Sequence, residues 1–260
     1  MSKAVWAKDR AILKASGKDA RGLLQDLVTN DLDGTANGLV YTALLTPQGK
    51  YLFDFFVKAS GDDLLLDVSV DRADALLTRL SLYKLRADMV LERADLSVVL
   101  GLGPGPEGAL MDPRHEGLGW RLYTDDPKAR VTNAEPWSDE ERTALRVDLA
   151  IPEAGRELVP DQSFILEMGF ERLAGVDFRK GCYVGQEVTA RMKHKTELRQ
   201  GLVAVQLEGE GAKEGTEIVR DGKSVGQLHS IAGDRALAYL RYDRAGDGMV
   251  AGPVKVSMLP

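Results

Sequence analysis

The residue with the clearest chemical potential is Cys182, the only cysteine of the chain. It lies in the octapeptide Lys180-Gly181-Cys182-Tyr183-Val184-Gly185-Gln186-Glu187. The thiolate is the reactive form of cysteine, and positive charge and a helix N-terminus commonly stabilise it. Lys180 and a helix predicted to start here offer both, so we predict a redox-active or cluster-contacting thiol assisted by Lys180. The alternative is that Cys182 is a small buried hydrophobic residue, as most free cysteines are.

The other residues of this segment are candidates for ligand contact. Gly181 and Gly185 carry no Cβ, so the backbone there can turn sharply or approach a ligand closely. The remaining predicted binding residues of the segment are Tyr183, Gln186, Glu187 and Arg191. Glu187 and Arg191 are four residues apart in the orientation that favours an ion pair on a helix surface, and such a pair is the simpler interpretation of both.

The ligand count argues against a metal site belonging to the chain alone. Besides Cys182, the chain has three histidines that could bind a metal. They are scattered in the sequence, at His115, His194 and His229. Self-contained zinc and iron–sulfur sites use several cysteines or a compact Cys/His set. We therefore predict no resident metal, and we consider temporary donation of one thiolate ligand to a cluster carried by another protein.

Apolar periodicity indicates which elements position these residues. The first half predicts a helix over 19–28, strands over 39–46, 51–58 and 64–70, and a helix after residue 71. The turn Pro47-Gln48-Gly49-Lys50 joins the first two strands into a hairpin. Asp71 is predicted to cap the second helix. Strands followed by helices in this order are typical of an α+β fold.

The second half of the chain changes from helix to short strands. Residues 101–137 are rich in loops, Ser138 and Glu141 form a capping box for a helix ending near Ala150, and 155–178 predict an ordered loop. Short strands are predicted over 202–207, 216–220, 223–229, 236–242 and 254–258. Asp221-Gly222 is a two-residue hairpin signal, and strands at this spacing indicate a small β-barrel. We place a domain boundary near Gly201.

Composition limits the partners and the compartment. The chain has 260 residues, of which 44% are hydrophobic and 28% charged, as in ordinary soluble domains. A formal net charge of −6 argues against stable nucleic-acid binding. With one cysteine, no leader-like apolar region and no membrane-length apolar run, we expect a protein of the reducing cytoplasm that does not bind membranes.

The octapeptide, with Val188-Thr189-Ala190-Arg191 after it, resembles the signature of the YgfZ family. These folate-binding proteins are related to the T-protein, the aminomethyltransferase of the glycine cleavage system. Three further segments resemble the family in the expected order: Gly17–Ala20 with Leu24–Asp31, then Tyr41–Lys50, then Arg79–Arg86. The likeness extends from the N-terminus to about residue 260. The cysteine separates this family from the true T-proteins.

The resemblance implies both a fold and a function. The fold is a T-protein-like folate-binding core of two intertwined α/β subdomains over 1–200, followed by a C-terminal β-barrel over 201–260. The function is that of a monomeric accessory protein supporting assembly or repair of iron–sulfur enzymes, including tRNA-modifying ones. Its partners are iron–sulfur proteins or the cluster-assembly machinery, bound transiently, and its cofactor is tetrahydrofolate.

The resemblance also nominates folate-binding residues. Asp148 takes the place of a helix glutamate that binds the pterin, and the alternative is a surface aspartate. Asp74 falls where the T-protein has an aspartate that assists methylene transfer. Arg10 and Arg142 stand where some YgfZ proteins have tryptophans thought to flank folate. Basic residues outnumber acidic ones by seven to four around Cys182 (Arg172, Arg179, Lys180, Arg191, Lys193, Lys195 and Arg199 against Glu171, Asp177, Glu187 and Glu197), which suits the glutamate tail of a folate or an acidic partner.

Two other functions remain open at this point. One is a tetrahydrofolate-dependent aminomethyl- or methyltransferase, which would need Asp74 close to the folate. The other is a docking module that binds partner proteins through a basic face and has no ligand. Whether the chain is an enzyme is therefore left undecided by its sequence.

Overall fold

The computed structural model describes residues 2–195 and 197–259; the side chain of Lys195, one of the basic residues counted above, lies outside the description. The chain divides into two compact units. Unit 1 comprises 1–137 and 171–187, and unit 2 comprises 138–170 and 188–260. The chain thus leaves unit 1 after Trp137 and returns to it for the segment that carries Cys182.

The described residues of unit 1 form ten strands and three α-helices that lie wholly within it. The strands are β1 (Lys3–Trp6), β2 (Arg10–Ser16), β3 (Val40–Leu45), β4 (Tyr51–Ser60), β5 (Asp63–Ser69), β6 (Val90–Arg93), β7 (Ser97–Leu102), β8 (Leu110–Met111), β9 (Trp120–Thr124) and β10 (Glu135–Pro136). The helices are α1 (Ala20–Leu27), α2 (Ala73–Lys84) and α3 (Pro127–Val131). The strands form two five-stranded sheets, ordered β3-β4-β5-β2-β6 and β10-β1-β7-β9-β8. Ile12 and Leu65 of the first sheet join Val98 of the second in one buried cluster.

The helices and hairpin predicted for unit 1 are present. Leu24 and Leu27 on one side of α1 are buried in the main core, as their spacing predicts. Strands β3 and β4 form the predicted hairpin, in which Gly49 adopts a φ of 75°. The predicted cap of α2 is wrong: Asp71 lies in a 3₁₀ turn over Val70–Arg72, and Arg72 precedes the helix without a side-chain cap. The 3₁₀ turn continues directly into α2, so Asp71 is not at the helix start.

Unit 2 is a closed barrel with one helix of its own and most of another. The elements are α4 (Asp139–Asp148), α5 (Gln186–Lys195), β11 (Gln200–Glu208), β12 (Glu217–Arg220), β13 (Lys223–Ala232), β14 (Arg235–Arg241), β15 (Met249–Ala251) and β16 (Val254–Met258). Helix α5 begins in unit 1 and continues into unit 2. The barrel order is β11-β14-β13-β12-β15-β16. The predicted α+β class with a small C-terminal barrel is therefore confirmed.

Local signals predicted the details of unit 2 well. The capping box of α4 is complete, because the Ser138 hydroxyl accepts from the Glu141 amide and the Glu141 carboxylate accepts from the Ser138 amide, each at 3.2 Å. Asp221 and Gly222 have φ values of 50° and 71° in the turn between β12 and β13, as a two-residue hairpin of this kind requires. Strand β15 was not predicted. No helix among the described residues is long and apolar enough to cross a membrane.

Candidate functional site

The thiol of Cys182 is exposed. It lies in the connection to α5, where the side-chain amide of Gln186 donates to the Gly181 carbonyl at 3.4 Å. The alternative of a buried hydrophobic cysteine therefore does not apply. An exposed thiol at the start of a helix-bearing segment is accessible to another macromolecule.

Lys180 is buried, and its ammonium is directed at backbone carbonyls. Its Nζ donates to the carbonyls of Gln25 at 2.6 Å, Val28 at 2.6 Å and Asn30 at 3.0 Å. A lysine ammonium has three donors, and all three are used here. These contacts hold the ammonium on backbone carbonyls, and they are not the predicted stabilisation of the Cys182 thiolate by Lys180. We call residues 25–30 the seat and residues 174–182 the thiol loop.

Burial also changes the pKa of Lys180. It lowers the pKa of the Lys180 ammonium to about 8, although the carboxylates of Asp31, Asp26 and Asp177 raise it. The ammonium is therefore mostly charged at neutral pH. A charged group in this position needs its three carbonyl partners, because burying an unpaired ammonium is costly.

Three further hydrogen bonds join the thiol loop to the seat. The Asn30 side-chain amide donates to the Ala174 carbonyl, and the Thr29 hydroxyl donates to the Gly175 carbonyl, each at 2.7 Å. In the opposite direction, the Asp177 amide donates to the Thr29 carbonyl at 3.1 Å. The thiol loop is thus held by six hydrogen bonds to a segment roughly 150 residues earlier in the chain.

The two glycines of the octapeptide have different environments. Gly185 has a φ of 83°, and a Cβ added there would lie 2.6 Å from the Thr46 carbonyl oxygen. At Gly181 an added Cβ meets nothing within 4 Å, and φ is not in the left-handed range. Gly185 is therefore required by the close approach of the β3–β4 hairpin, whereas no packing requirement applies at Gly181.

We expect Gly185→Ala to destabilise unit 1 by about 2 kcal/mol or more, because the added methyl group overlaps a backbone oxygen and the left-handed φ disfavours a Cβ. Gly181→Ala is the matched control and should change stability by less than about 0.5 kcal/mol. Urea unfolding followed by fluorescence measures both. Equal effects at the two positions would contradict this account of the motif.

The predicted folate carboxylates are both in ion pairs near the surface. In unit 2, Asp148 binds Arg235 at 2.8 Å, and both side chains are more than two-fifths exposed. In unit 1, Asp74 binds Arg93 at 2.8 Å and is 83% exposed. A pterin would have to displace Arg235 from Asp148 or Arg93 from Asp74, and the folate role that the resemblance implies for these residues stays a prediction.

The remaining predicted residues divide between buried and exposed positions. Tyr183 is buried, with its ring 5.6 Å from the Lys180 ammonium. Gln186 and Glu187 begin α5 in unit 1, and Arg191 follows on the same helix in unit 2. Glu187 and Arg191 are exposed. Tyr183 and Gln186 thus support the thiol loop from within unit 1.

Sequence reasoning missed a buried charge network in unit 1. Asp67 accepts from the Arg10 Nε at 2.6 Å, from the Arg121 Nη2 at 2.8 Å and from the Tyr123 hydroxyl at 3.1 Å. Burial alone raises the pKa of Asp67, but Arg10 and Arg121 together lower it below the ordinary value. Arg10, which stands where some YgfZ proteins have a tryptophan, is thus bound to the Asp67 carboxylate.

The same network continues to a second carboxylate. Asp112 binds Arg114 at 2.8 Å and Arg121 at 3.2 Å. The guanidinium groups of Arg121 and Arg114 lie 4.0 and 4.8 Å from the centre of the Phe56 ring. Stacked guanidinium groups are stabilised by the ring face as well as by the carboxylates. No local spacing signals such a network, because its members come from five different segments.

Unit 2 has a network of its own and a small cavity beside it. Glu157 is 1% exposed and accepts from Arg146 at 2.8 Å and from the Ser230 hydroxyl at 2.6 Å. The cavity has a volume of about 100 Å³ and is lined by Arg156, Glu157, Glu214, Gly215, Gln227, Leu228, His229 and Ser230. None of these residues was predicted as part of the site.

The fold is that of the glycine-cleavage aminomethyltransferases. The crystal structure of glycine cleavage system aminomethyltransferase T from Bartonella henselae superimposes with a TM-score of 0.78, covering 99% of this chain and 84% of that one, at 12% identity. Identity this low shows the fold alone. Residues 199–260 match the family described as CAF17, C-terminal beta-barrel domain.

Sequence relatives define the family within that fold. The iron-sulfur cluster assembly factor IBA57, mitochondrial, of Homo sapiens is 30% identical, over 97% of this chain and 81% of the human protein. The mouse protein of the same name is 29% identical, over 95% and 78%. The Neurospora crassa homolog is 32% identical, but only 56% of its length is spanned. The chain belongs to the IBA57 family.

The expected cytoplasmic location is wrong on this comparison, because the human, mouse and Neurospora crassa relatives are all named mitochondrial. The error has a simple physical origin. A single cysteine indicates a chain that functions without disulfides. That property describes the redox state of the surroundings and does not distinguish one reducing compartment from another.

Proposed function

We propose that this chain is an iron–sulfur cluster assembly factor in which Cys182 supplies one thiolate ligand to a cluster held mainly by a partner protein. The observation that carries the proposal is an exposed sole cysteine on a loop fixed by six hydrogen bonds, in a chain of the IBA57 family. Clusters are held by several thiolates. A single cysteine can therefore add one ligand to a cluster that the partner holds, but it cannot hold a cluster alone.

The step is a ligand exchange at iron. The Cys182 thiol loses its proton to solvent or to a base of the partner, its sulfur forms a bond to one iron, and the ligand previously on that iron leaves with its electron pair. No oxidation or reduction is needed. Because the loop is already ordered, little conformational entropy is lost when the sulfur meets the cluster.

The finer parts of the proposal come from the YgfZ resemblance. We include among the supported activities enzymes that modify tRNA, and we propose a transient complex between a monomer of this chain and its partner. Tetrahydrofolate binding stays a prediction. It has no step in this function, and a calorimetric titration of the protein with tetrahydrofolate tests it separately.

Substitution of the thiol tests the proposal. In cells that lack their own copy of the protein, Cys182→Ala should reduce the activity of iron–sulfur enzymes to the level without the gene, while a cluster-free enzyme keeps its activity. Cys182→Ser, which retains a weak oxygen ligand, should fall between. Since the side chain is exposed, both variants should unfold within about 0.5 kcal/mol of the wild type. Full activity of Cys182→Ala would exclude the thiol from the function.

A further inference from the structure

The seat lies within Leu24–Asp31, and the thiol loop ends in the first three residues of the octapeptide, so both overlap segments that resembled a family motif. In the structure they are joined to each other by hydrogen bonds. The seat supplies four acceptor carbonyls and two side-chain donors, and the loop supplies the matching groups. The carbonyls are those of Gln25, Val28, Thr29 and Asn30, and the donors are the Thr29 hydroxyl and the Asn30 side-chain amide. These residues meet across 144 to 155 positions of sequence.

The location of the seat explains why an ammonium binds there. Helix α1 ends at Leu27, and the Val28 amide donates to the Leu24 carbonyl, so the carbonyls from Gln25 onward have no partner further along the helix. These carbonyls also form the negative end of the helix dipole, where cations are favoured. The Lys180 ammonium satisfies Gln25 within this turn and Val28 and Asn30 just beyond it.

We propose that Lys180 is the positioning residue for the thiol of Cys182, holding the thiol loop on the seat. Lys180 precedes the exposed Cys182 by two residues, so the position of its ammonium fixes the backbone next to the sulfur. Removing its donors leaves three carbonyls of the seat without their partner and removes three of the six hydrogen bonds, so the loop is held less tightly. We call the three hydrogen bonds from Lys180 to the seat the clamp. The seat holds the thiol loop in place and takes no part in the chemistry itself.

A spin label tests the clamp directly, because the single cysteine gives a unique attachment point. The protein is labelled at Cys182 with a methanethiosulfonate nitroxide and its EPR line shape is recorded. Lys180→Met keeps the length of the side chain and removes the donors, so the spectrum should gain a fast-moving component. Lys18→Met, an exposed lysine of the same unit, is the matched control and should leave the spectrum unchanged.

Amide hydrogen exchange gives a second readout that needs no label. The Asp177 amide donates to the Thr29 carbonyl, so it is protected only while the loop is seated. Its exchange should accelerate at least about tenfold in Lys180→Met. In that variant the loop can leave the seat by itself, whereas in the wild type the amide exchanges only through a larger unfolding event. Lys180→Arg retains charge and donors and should restore part of the protection. A merely structural lysine in the core would change the unfolding midpoint without this local pattern.

Asn30→Ala serves if Lys180→Met does not fold, since it removes a donor to Ala174 from the other side of the same contact. It should shift both readouts in the same direction by a smaller amount. Spectra and exchange rates that match the wild type in either folded variant would overturn the clamp. So would an equal change in Lys18→Met.

The functional consequence rests on the proposed role of the thiol. Lys180→Met, with Cys182 intact, should lower the activity of iron–sulfur enzymes in cells toward the level of Cys182→Ala. If Cys182→Ala has no effect in cells, the proposed function fails, yet the EPR and exchange results still decide whether the clamp exists. The two failures are therefore distinguishable.

Discussion

Asp67→Asn should lower the free energy of unfolding of unit 1 by about 3–5 kcal/mol, the usual cost of removing one partner of a buried ion pair. Asp67 is 1% exposed, and its two oxygens accept from Arg10, Arg121 and Tyr123. An asparagine has the same shape but places an amide donor against these donors. Arg121, which is 3% exposed, then keeps only Asp112 as a counter-charge, and it shares Asp112 with Arg114.

Tryptophan fluorescence is the measurement for this variant. The three tryptophans, Trp6, Trp120 and Trp137, all lie in unit 1, so their emission follows the unfolding of that unit in urea. Asp74→Asn is the matched control, because Asp74 also pairs with an arginine at 2.8 Å but is 83% exposed. It should cost less than about 1 kcal/mol. Equal losses in the two variants would contradict the buried network.

The same carboxylate has a predictable effect at low pH. The pKa of Asp67 is below its ordinary value of 3.8 in the folded protein, so the unfolded chain binds the proton more readily. Its contribution to stability is therefore complete above about pH 4 and is lost as the pH falls toward the folded pKa. Asp67→Asn should lack this part of the acid-induced loss, and urea midpoints between pH 5 and pH 3 show the difference.

Sequence reasoning succeeded where the signal is local. The capping box at Ser138 and Glu141 and the hairpin at Asp221-Gly222 each involve residues within a few positions, and both have the predicted geometry. The barrel followed from the spacing of such turns. Strands β1 and β2 were missed, because their four and seven residues carry no strong turn or alternation signal.

The site was predicted in part for the same reason. Cys182 was predicted to be the reactive residue from its immediate neighbours, and the structure shows that its side chain is exposed. The contacts of Lys180 could not be predicted, since its partners are backbone carbonyls about 150 positions away and every residue type has a carbonyl. Gly181 and Gly185 are equivalent in the sequence, but they differ in φ and in the close approach of the β3–β4 hairpin to Gly185. Long-range backbone contacts of this kind leave no pattern in one sequence.

Glu157→Gln should destabilise unit 2 by about 3–5 kcal/mol, the counterpart in that unit of the change at Asp67. One carboxylate oxygen accepts from Arg146 and the Glu153 amide, and the other accepts from the amide and hydroxyl of Ser230. Whichever way a glutamine amide is placed, its NH₂ group faces donors. The Arg146 guanidinium then loses its buried counter-charge.

Far-UV circular dichroism in urea measures this loss, and tryptophan fluorescence of unit 1 serves as the internal reference. Asp148→Asn is the matched control, because the Asp148–Arg235 pair is short but largely solvated, and less than about 1 kcal/mol is expected. The double variant Arg146→Met with Glu157→Leu removes both charges and should recover at least about 2 kcal/mol. A double variant no more stable than Glu157→Gln would show that the penalty arises from the lost hydrogen bonds to Ser230 and Glu153, because no unpaired charge then remains.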